Sequence, residues 1–267
     1  VRPSRPTAFP SVKEHLVTLP VDAPFSLWRG HARALLAARI PPLATVWRSA
    51  DEQDDLFSEN SQSCLSAPPA RKLTVPRAVL HLLESVLCNA APDRFDLAYR
   101  ILWRSTTERA LLRTVTDPDM ILARRMAVQV SREVHKMKAF VRFRERTPPG
   151  SNTRHFVAWF EPEHHVLERA APFFARRFSD MHWMILTPKG SIGWNGETCV
   201  VTREACAREI VEDETEALWK TYYRSIFNPA RVKMKAMRSE MSPKYWKNLP
   251  ETDLIPEMLA DAARKTW

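Results

Sequence analysis

Glycine is scarce: 5 occur in 267, against 21 prolines and 40 lysines and arginines. Loops that wrap a phosphate with backbone N–H groups need glycine, and neither G-x-x-x-x-G-K-[ST] nor G-x-G-x-x-G occurs. The P-loop and dinucleotide-binding classes are thereby excluded. Cysteine is scarce as well. Cys64, Cys88, Cys199 and Cys206 form no C-x-x-C pair, which excludes a disulfide scaffold and an iron–sulfur cluster. Ordinary buried thiols in a reducing cytoplasm are expected. The H-E-x-x-H spacing is absent, so no metal is called for, and no cofactor motif is present. No apolar run reaches membrane-spanning length, and the first residues are proline-rich and polar rather than signal-like. A cytoplasmic protein that does not engage a membrane is the expectation.

What is present favours a folded chain with a polyanionic partner. Apolar residues make up 45% and charged residues 27%, within the range of chains that bury a core. The formal charge is +9 and the pI near 9.6, which concerns association and not fold.

Local patterns predict an α+β fold. A short strand is expected at His15 to Leu19, and an amphipathic helix over 25–39 capped by Ser26 and stopped by Ile40-Pro41-Pro42. A strand over 44–48 completes an N-terminal segment, 1–48. The polar stretch 49–72, ending in Ala67-Pro68-Pro69, reads as a loop or linker before a main domain over 73–267. That domain opens with helices over 75–88, with Pro76 as first helical residue, and 94–104, then one around Leu111 to Val115. A long helix opened by Asp117-Pro118-Asp119 follows and runs to Lys138.

Strands are then predicted at 139–146 and 155–160. The first places Phe140, Arg142, Arg144 and Arg146 on one side, with Ala139, Val141 and Phe143 on the other. Glu161-Pro162-Glu163 reads as the start of a helix running to about Phe178. Strands at 182–187 and 191–201 complete a strand-strand-helix-strand-strand core. The expectation is an antiparallel sheet with a helix on one face, flanked by N-terminal helices and by C-terminal ones over 213–226, 229–240 and 251–265. There is no internal repeat.

Several long runs carry a resemblance. They are W-R-G-H-A-R-A-L-L with P-P-L-A-T-V-W-R, then V-H-K-M-K-A-F-V-R-F-R, then W-F-E-P-E-H-H-V-L-E-R-A-A-P-F-F-A-R-R-F, and I-F-N-P-A-R-V-K-M-K-A-M-R-S-E-M-S-P-K-Y-W-K-N-L-P. Over nearly its whole length the chain resembles the bacterial "probable DNA metabolism protein" domain of unknown function. That domain occurs alone, beside a putative DNA-repair radical-SAM protein, or ahead of a UdgX-type uracil-DNA glycosylase domain. The resemblance implies a link to DNA repair and such a partner, not a mechanism. The cysteine-rich glycosylase domain and the radical-SAM cysteine signature are both absent from this sequence, so no uracil excision is expected of it.

Two basic stretches are the candidate contacts with single-stranded or damaged DNA. In 124–146, Arg124, Arg125, Arg132, Lys136, Lys138, Arg142, Arg144 and Arg146 oppose Glu133 and Glu145, a net of +6, with His135 at the expected helix end. In 224–247, Arg224, Arg231, Lys233, Lys235, Arg238, Lys244 and Lys247 oppose Glu240, again +6, with Tyr245 and Trp246 available to stack on a base. Against this stands a solvated helix face with snorkelling lysines, and each aromatic taken singly fits a core better.

A third constellation is catalytic in type. His155, Glu161 and His164 could converge as an acid–base set if hairpin and helix fold together, with Asp213 as a further acid. Trp159, Trp183 and Trp194 lie on successive strands, where a shared core beneath the helix competes with stacking on a flipped base. Three functions follow: a DNA-binding accessory domain that presents DNA or a damaged base to a partner enzyme, a glycosylase-like hydrolase using Glu161, or a protein-interaction module for the radical-SAM or glycosylase partner.

Overall fold

The computed structural model describes residues 15–49, 74–146, 154–206 and 245–246. The expected linker beyond Ser49, and the helices expected at 213–226, 229–240 and 251–265, lie outside the described residues. The architecture is α+β, and the chain divides into two units, Val1–Val130 and Ser131–Trp267.

In the first unit, β1 (His15–Leu19) and β2 (Thr45–Ser49) pair in parallel, with α1 (Phe25–Ala37) as the crossover. A parallel pair needs such a connection, because a tight turn can only reverse the chain. α1 buries Trp28, Ala32, Leu35 and Leu36, the i, i+4, i+7, i+8 stripe of a helix lying on a core. Ser26 lies inside the helix and does not cap it; Pro24 holds the N-cap position, with no side-chain cap bond. At its C-terminus Ile40 N–H donates to Leu35 O and Arg39 N–H to Leu36 O, with Arg39 at φ 57°. This is the Schellman arrangement, with arginine where glycine is usual.

Helices α2 (Arg77–Leu87) and α3 (Arg94–Ser105) complete this core. Pro76 is the N-cap of α2, one position earlier than expected. Trp47 of β2 stands at the centre, 5.9 Å from Trp28, 6.3 Å from Phe95 and 5.7 Å from Tyr99 between ring centroids. Arg94 is also buried. Its guanidinium lies 4.3 Å over the Phe95 ring and donates to the carbonyls of Ala91 and Val21, and burial lowers its pKa. The helix expected near Leu111 is only a 3-10 turn, Leu111–Arg113. α4 (Pro118–Phe140) starts where expected: Asp117 Oδ1 accepts from Met120 N–H at 3.0 Å, and Pro118 needs no hydrogen-bond acceptor. Among the described residues no helix is long and apolar enough to cross a membrane.

The second unit carries a five-stranded sheet, in the order β3 (Arg144–Glu145), β4 (His155–Trp159), β5 (His182–Thr187), β6 (Gly190–Trp194), β7 (Cys199–Thr202). It is mixed, which corrects the antiparallel expectation. β4 and β5 run parallel because α5 (Leu167–Arg177) is the crossover between them; the other neighbours are antiparallel. The expected strand over 191–201 is two strands, split by an Asn195-Gly196 turn. Asn195 Oδ1 accepts from the N–H groups of Glu197 and Thr198, and Gly196 has φ 93°.

α5 covers one face of the sheet. Trp183 lies 6.0 Å from Phe174 and 5.7 Å from Phe143, and its indole N–H donates to Phe178 O at 3.0 Å. By register Ile185 and Ile192 share that face, and both are fully buried. The opposite face carries His155, Trp159, His182, Met184 and Leu186. The three strand tryptophans therefore form no shared core: Trp159 lies across the sheet from Trp183, where its indole N–H donates to Glu161 Oε1 at 2.8 Å.

Two boundaries move, and the second has a distant cause. α4 runs through Ala139 and Phe140, where a strand was expected, and α5 begins at Leu167 rather than at Glu161. The carboxylate of Glu133 on α4 is 5% exposed, and it accepts the backbone N–H of Glu163 at 2.7 Å and of His164 at 2.6 Å. Residues 161–166 are thereby turned onto α4 instead of winding into a helix. The cysteines also depart from expectation: Cys199 is exposed and Cys88 and Cys206 are half-buried, all three as free thiols.

Candidate nucleic-acid interface

Within the second unit, α4 buries Glu133 and Met137, an i, i+4 pair, with Phe140 beside them. At 100° per residue, Arg132, His135 and Lys138 fall on the remaining arc of the helix, and Lys136 adjoins the buried one, about 60° from Glu133. Arg132 and His135 are exposed; Lys136 and Lys138 are half-buried at its flanks, each with its ammonium over an aromatic ring. Lys136 Nζ lies 5.9 Å from the Tyr245 centroid, and Lys138 Nζ lies 5.1 Å from that of Phe173. Both are cation–π contacts that hold the aliphatic stems down and leave the charge near the surface.

Carboxylates do little to neutralise this arc. Glu133, counted from the sequence as an opposing surface charge, points inward and is satisfied by the two N–H donors and by the Tyr245 hydroxyl at 3.3 Å. Glu145 pairs with Arg154, the guanidinium donating to both carboxylate oxygens at 3.0 and 2.6 Å. Among the described residues, no acid pairs with Arg132, Lys136 or Lys138.

Other members of the stretch do different work. Arg124, in the first unit, folds back to donate to Leu112 O at 2.5 Å, so it is not a surface contact. Arg142 donates to Ala139 O at 2.7 Å and Val141 O at 3.3 Å, filling carbonyls left open at the end of α4. Arg144 sits on β3 opposite Val157, on the sheet face away from α5. Phe140, expected on one strand side with the arginines, stacks on Tyr245 at 5.7 Å.

Tyr245 is corrected in the same way. It is 2% exposed, sandwiched between Phe140 and Phe160, with Phe160 at 5.1 Å and 10° between ring planes. A ring with both faces covered stacks on no base. Trp246 is half-buried. Arg231, Lys233, Lys235, Lys244 and Lys247 lie outside the described residues.

Of the expected acid–base set, His155 is held apart from Glu161 by the length of β4. His155 begins β4 and Glu161 follows its end; the four-residue rise to Trp159 alone is about 13 Å. His155 instead meets His182 on the neighbouring strand, rings edge to face at 5.3 Å. His164 is buried at 7% exposure, its N–H held by Glu133. Asp213 lies outside the described residues. Among the described residues no group of three or more histidines, cysteines and acids is placed to hold a metal ion.

Glu133 is the residue that sequence reasoning passed over. Its signal was present: with Met137 it occupies the apolar arc of α4, where an acid requires a partner. The partner, a pair of amides thirty residues on, leaves no local mark. No curated protein and no solved structure matches the chain. Residues 92–251 match the family model described as Domain of unknown function (DUF4130), and the chain belongs to that family.

Proposed function

We propose that the second unit is a DNA-binding accessory module of a bacterial DNA-repair system, acting in the cytoplasm. It presents single-stranded or damaged DNA to a partner enzyme of the radical-SAM or uracil-DNA glycosylase type. The observation that carries this reading is the exposed arc of α4. Arg132, His135, Lys136 and Lys138 project from one rigid helix, while the acid within their run is buried beneath them. Such an arc neutralises phosphates and releases their condensed counterions, with little dependence on base sequence. The chain's +9 charge and its resemblance to DNA-metabolism proteins support the same reading.

The test is a titration of labelled single-stranded and duplex oligonucleotides, with and without uracil or an abasic site, at several salt concentrations. Binding should weaken steeply with salt. Arg132→Gln with Lys136→Gln should reduce the log–log slope by about 1.4 to 1.8, two phosphate contacts' worth. An unchanged slope in a folded double variant refutes the α4 assignment. Base release or strand cleavage on a denaturing gel, lost in Glu161→Gln, would replace this reading with a hydrolase. Absence of binding at low salt, with capture of the partner enzyme from nuclease-treated extract, would replace it with a protein-interaction module.

A further inference from the structure

We infer that α5 and the end of α4 form a base-stacking site for single-stranded nucleic acid, centred on Phe173. This inference rests on the DNA-binding reading and extends it to residues and a strand class that the basic runs do not indicate. The buried face of α5 is already filled by Leu167, Ala170, Ala171 and Phe174. Phe173 lies off that face, half-buried, in edge-to-face contact with Phe174 at 5.3 Å. Four residues before it and three after stand Arg169 and Arg176, both exposed, so the three share one stripe. Lys138 of α4 completes the setting, its ammonium 5.1 Å from the ring centroid.

A half-buried phenylalanine with an ammonium over its face is a poor solvated surface and an incomplete core. The nearest acid on α5, Glu168, is drawn to Arg203 at 3.0 Å, and Arg177 lies over the Phe178 ring at 5.3 Å. Among the described residues Arg176 has no acidic partner. The stripe from Arg169 to Arg176 runs about 10 Å along the helix, seven residues at about 1.5 Å each. Arg176 takes a phosphate, and the ring beside it takes a base face. Lys138 holds that ring face in the absence of DNA; its four-carbon stem lets it swing onto the neighbouring phosphate when a base arrives. A paired base has both faces covered by its duplex neighbours, so the site selects unpaired nucleotides.

The experiment measures the affinity of the full chain for labelled oligo-dT and for a duplex of equal length over a salt series. Phe173→Ala should weaken oligo-dT binding about 5- to 160-fold, leaving the salt slope and the duplex affinity unchanged, because a stack and no ion pair is lost. Phe173→Tyr should restore the binding. Phe173→Leu keeps the packing against Phe174 without an aromatic face, so it serves in place of the alanine variant should that fail to fold. Arg176→Gln should instead lower the slope by about 0.7. Oligo-dT binding by the unmodified chain that neither Phe173→Ala nor Phe173→Leu weakens overturns the stacking site and leaves the α4 reading standing. An unmodified chain that binds neither strand at low salt overturns both.

Discussion

Glu133→Gln tests the strongest energetic claim about the second unit. The native carboxylate accepts two short backbone hydrogen bonds, from Glu163 and His164, and a longer one from the Tyr245 hydroxyl. Hydrogen bonds to a charged group contribute about 1.5–3 kcal/mol each, and a buried donor left without an acceptor costs about 1–3 kcal/mol. Glutamine preserves volume but not acceptors. One of its terminal atoms becomes an N–H donor, which must face another donor or turn away and strand it. The expected loss is therefore about 3 kcal/mol, close to that of Glu133→Ala and far from the near-silence of an isosteric surface change. The assay is amide hydrogen exchange resolved at Glu163 and His164. A local loss of 3 kcal/mol accelerates exchange roughly a hundredfold at these two amides. Tyr245→Phe, which removes only the 3.3 Å bond and keeps the ring stack, should cost about 1 kcal/mol or less. Unchanged exchange in Glu133→Gln would refute the claim that this carboxylate holds residues 161–166 against α4.

Further outcomes follow from single positions. Gly190 has φ 122°, and a methyl group built there would overlap Thr202 O, so Gly190→Ala should cost about 3 kcal/mol or more in chemical denaturation. Asp117→Asn keeps the cap of α4 but loses the ion pair with Arg104, whose hydrogen bond holds the Asp117 carboxyl below its ordinary pKa. A depressed carboxyl contributes stability above its unfolded value, near pH 4, and loses it as pH falls through the folded value. The variant should therefore trail the native chain by up to about 1 kcal/mol at pH 7, and the gap should close as pH falls through the folded value. Arg39→Gly should raise the thermal midpoint of the first unit, since glycine takes the left-handed conformation without the roughly 1 kcal/mol that arginine incurs.

Some of the fold was legible because short-range rules decide it. The alternation H-W-M-I-L-T predicts β5 to the residue, and Asp117-Pro118 marks the start of α4. Where the sequence misled, a distant group had overruled the local preference. Glu161-Pro162-Glu163 has the chemistry of a helix start, yet the amides that a first turn would leave open are taken by Glu133. The pairing of β4 with β5 was misjudged for a different reason. A helix between two strands already implies a parallel crossover, and the period-two pattern carries no record of direction. Asn195-Gly196 is a plain turn signal inside what alternation alone makes one strand.

The candidate site was legible as charge and illegible as surface. Counting 124–146 gives eight cations and two acids, but the fold sorts them. Arg124 turns inward to backbone carbonyls, Arg142 closes the end of α4, Glu133 is buried, and Glu145 is tied to Arg154. What stays outside is shorter and more uniformly positive than the run itself. The same sorting raises Phe173 and Arg176, which no basic run contains, beside Lys138, which one does. A net charge limits which partners attract the chain. The arc of a helix and the ring beside it decide whether that partner is held by its phosphates alone or also by an unpaired base, and the salt slope separates the two, because ion pairs change it and stacking does not.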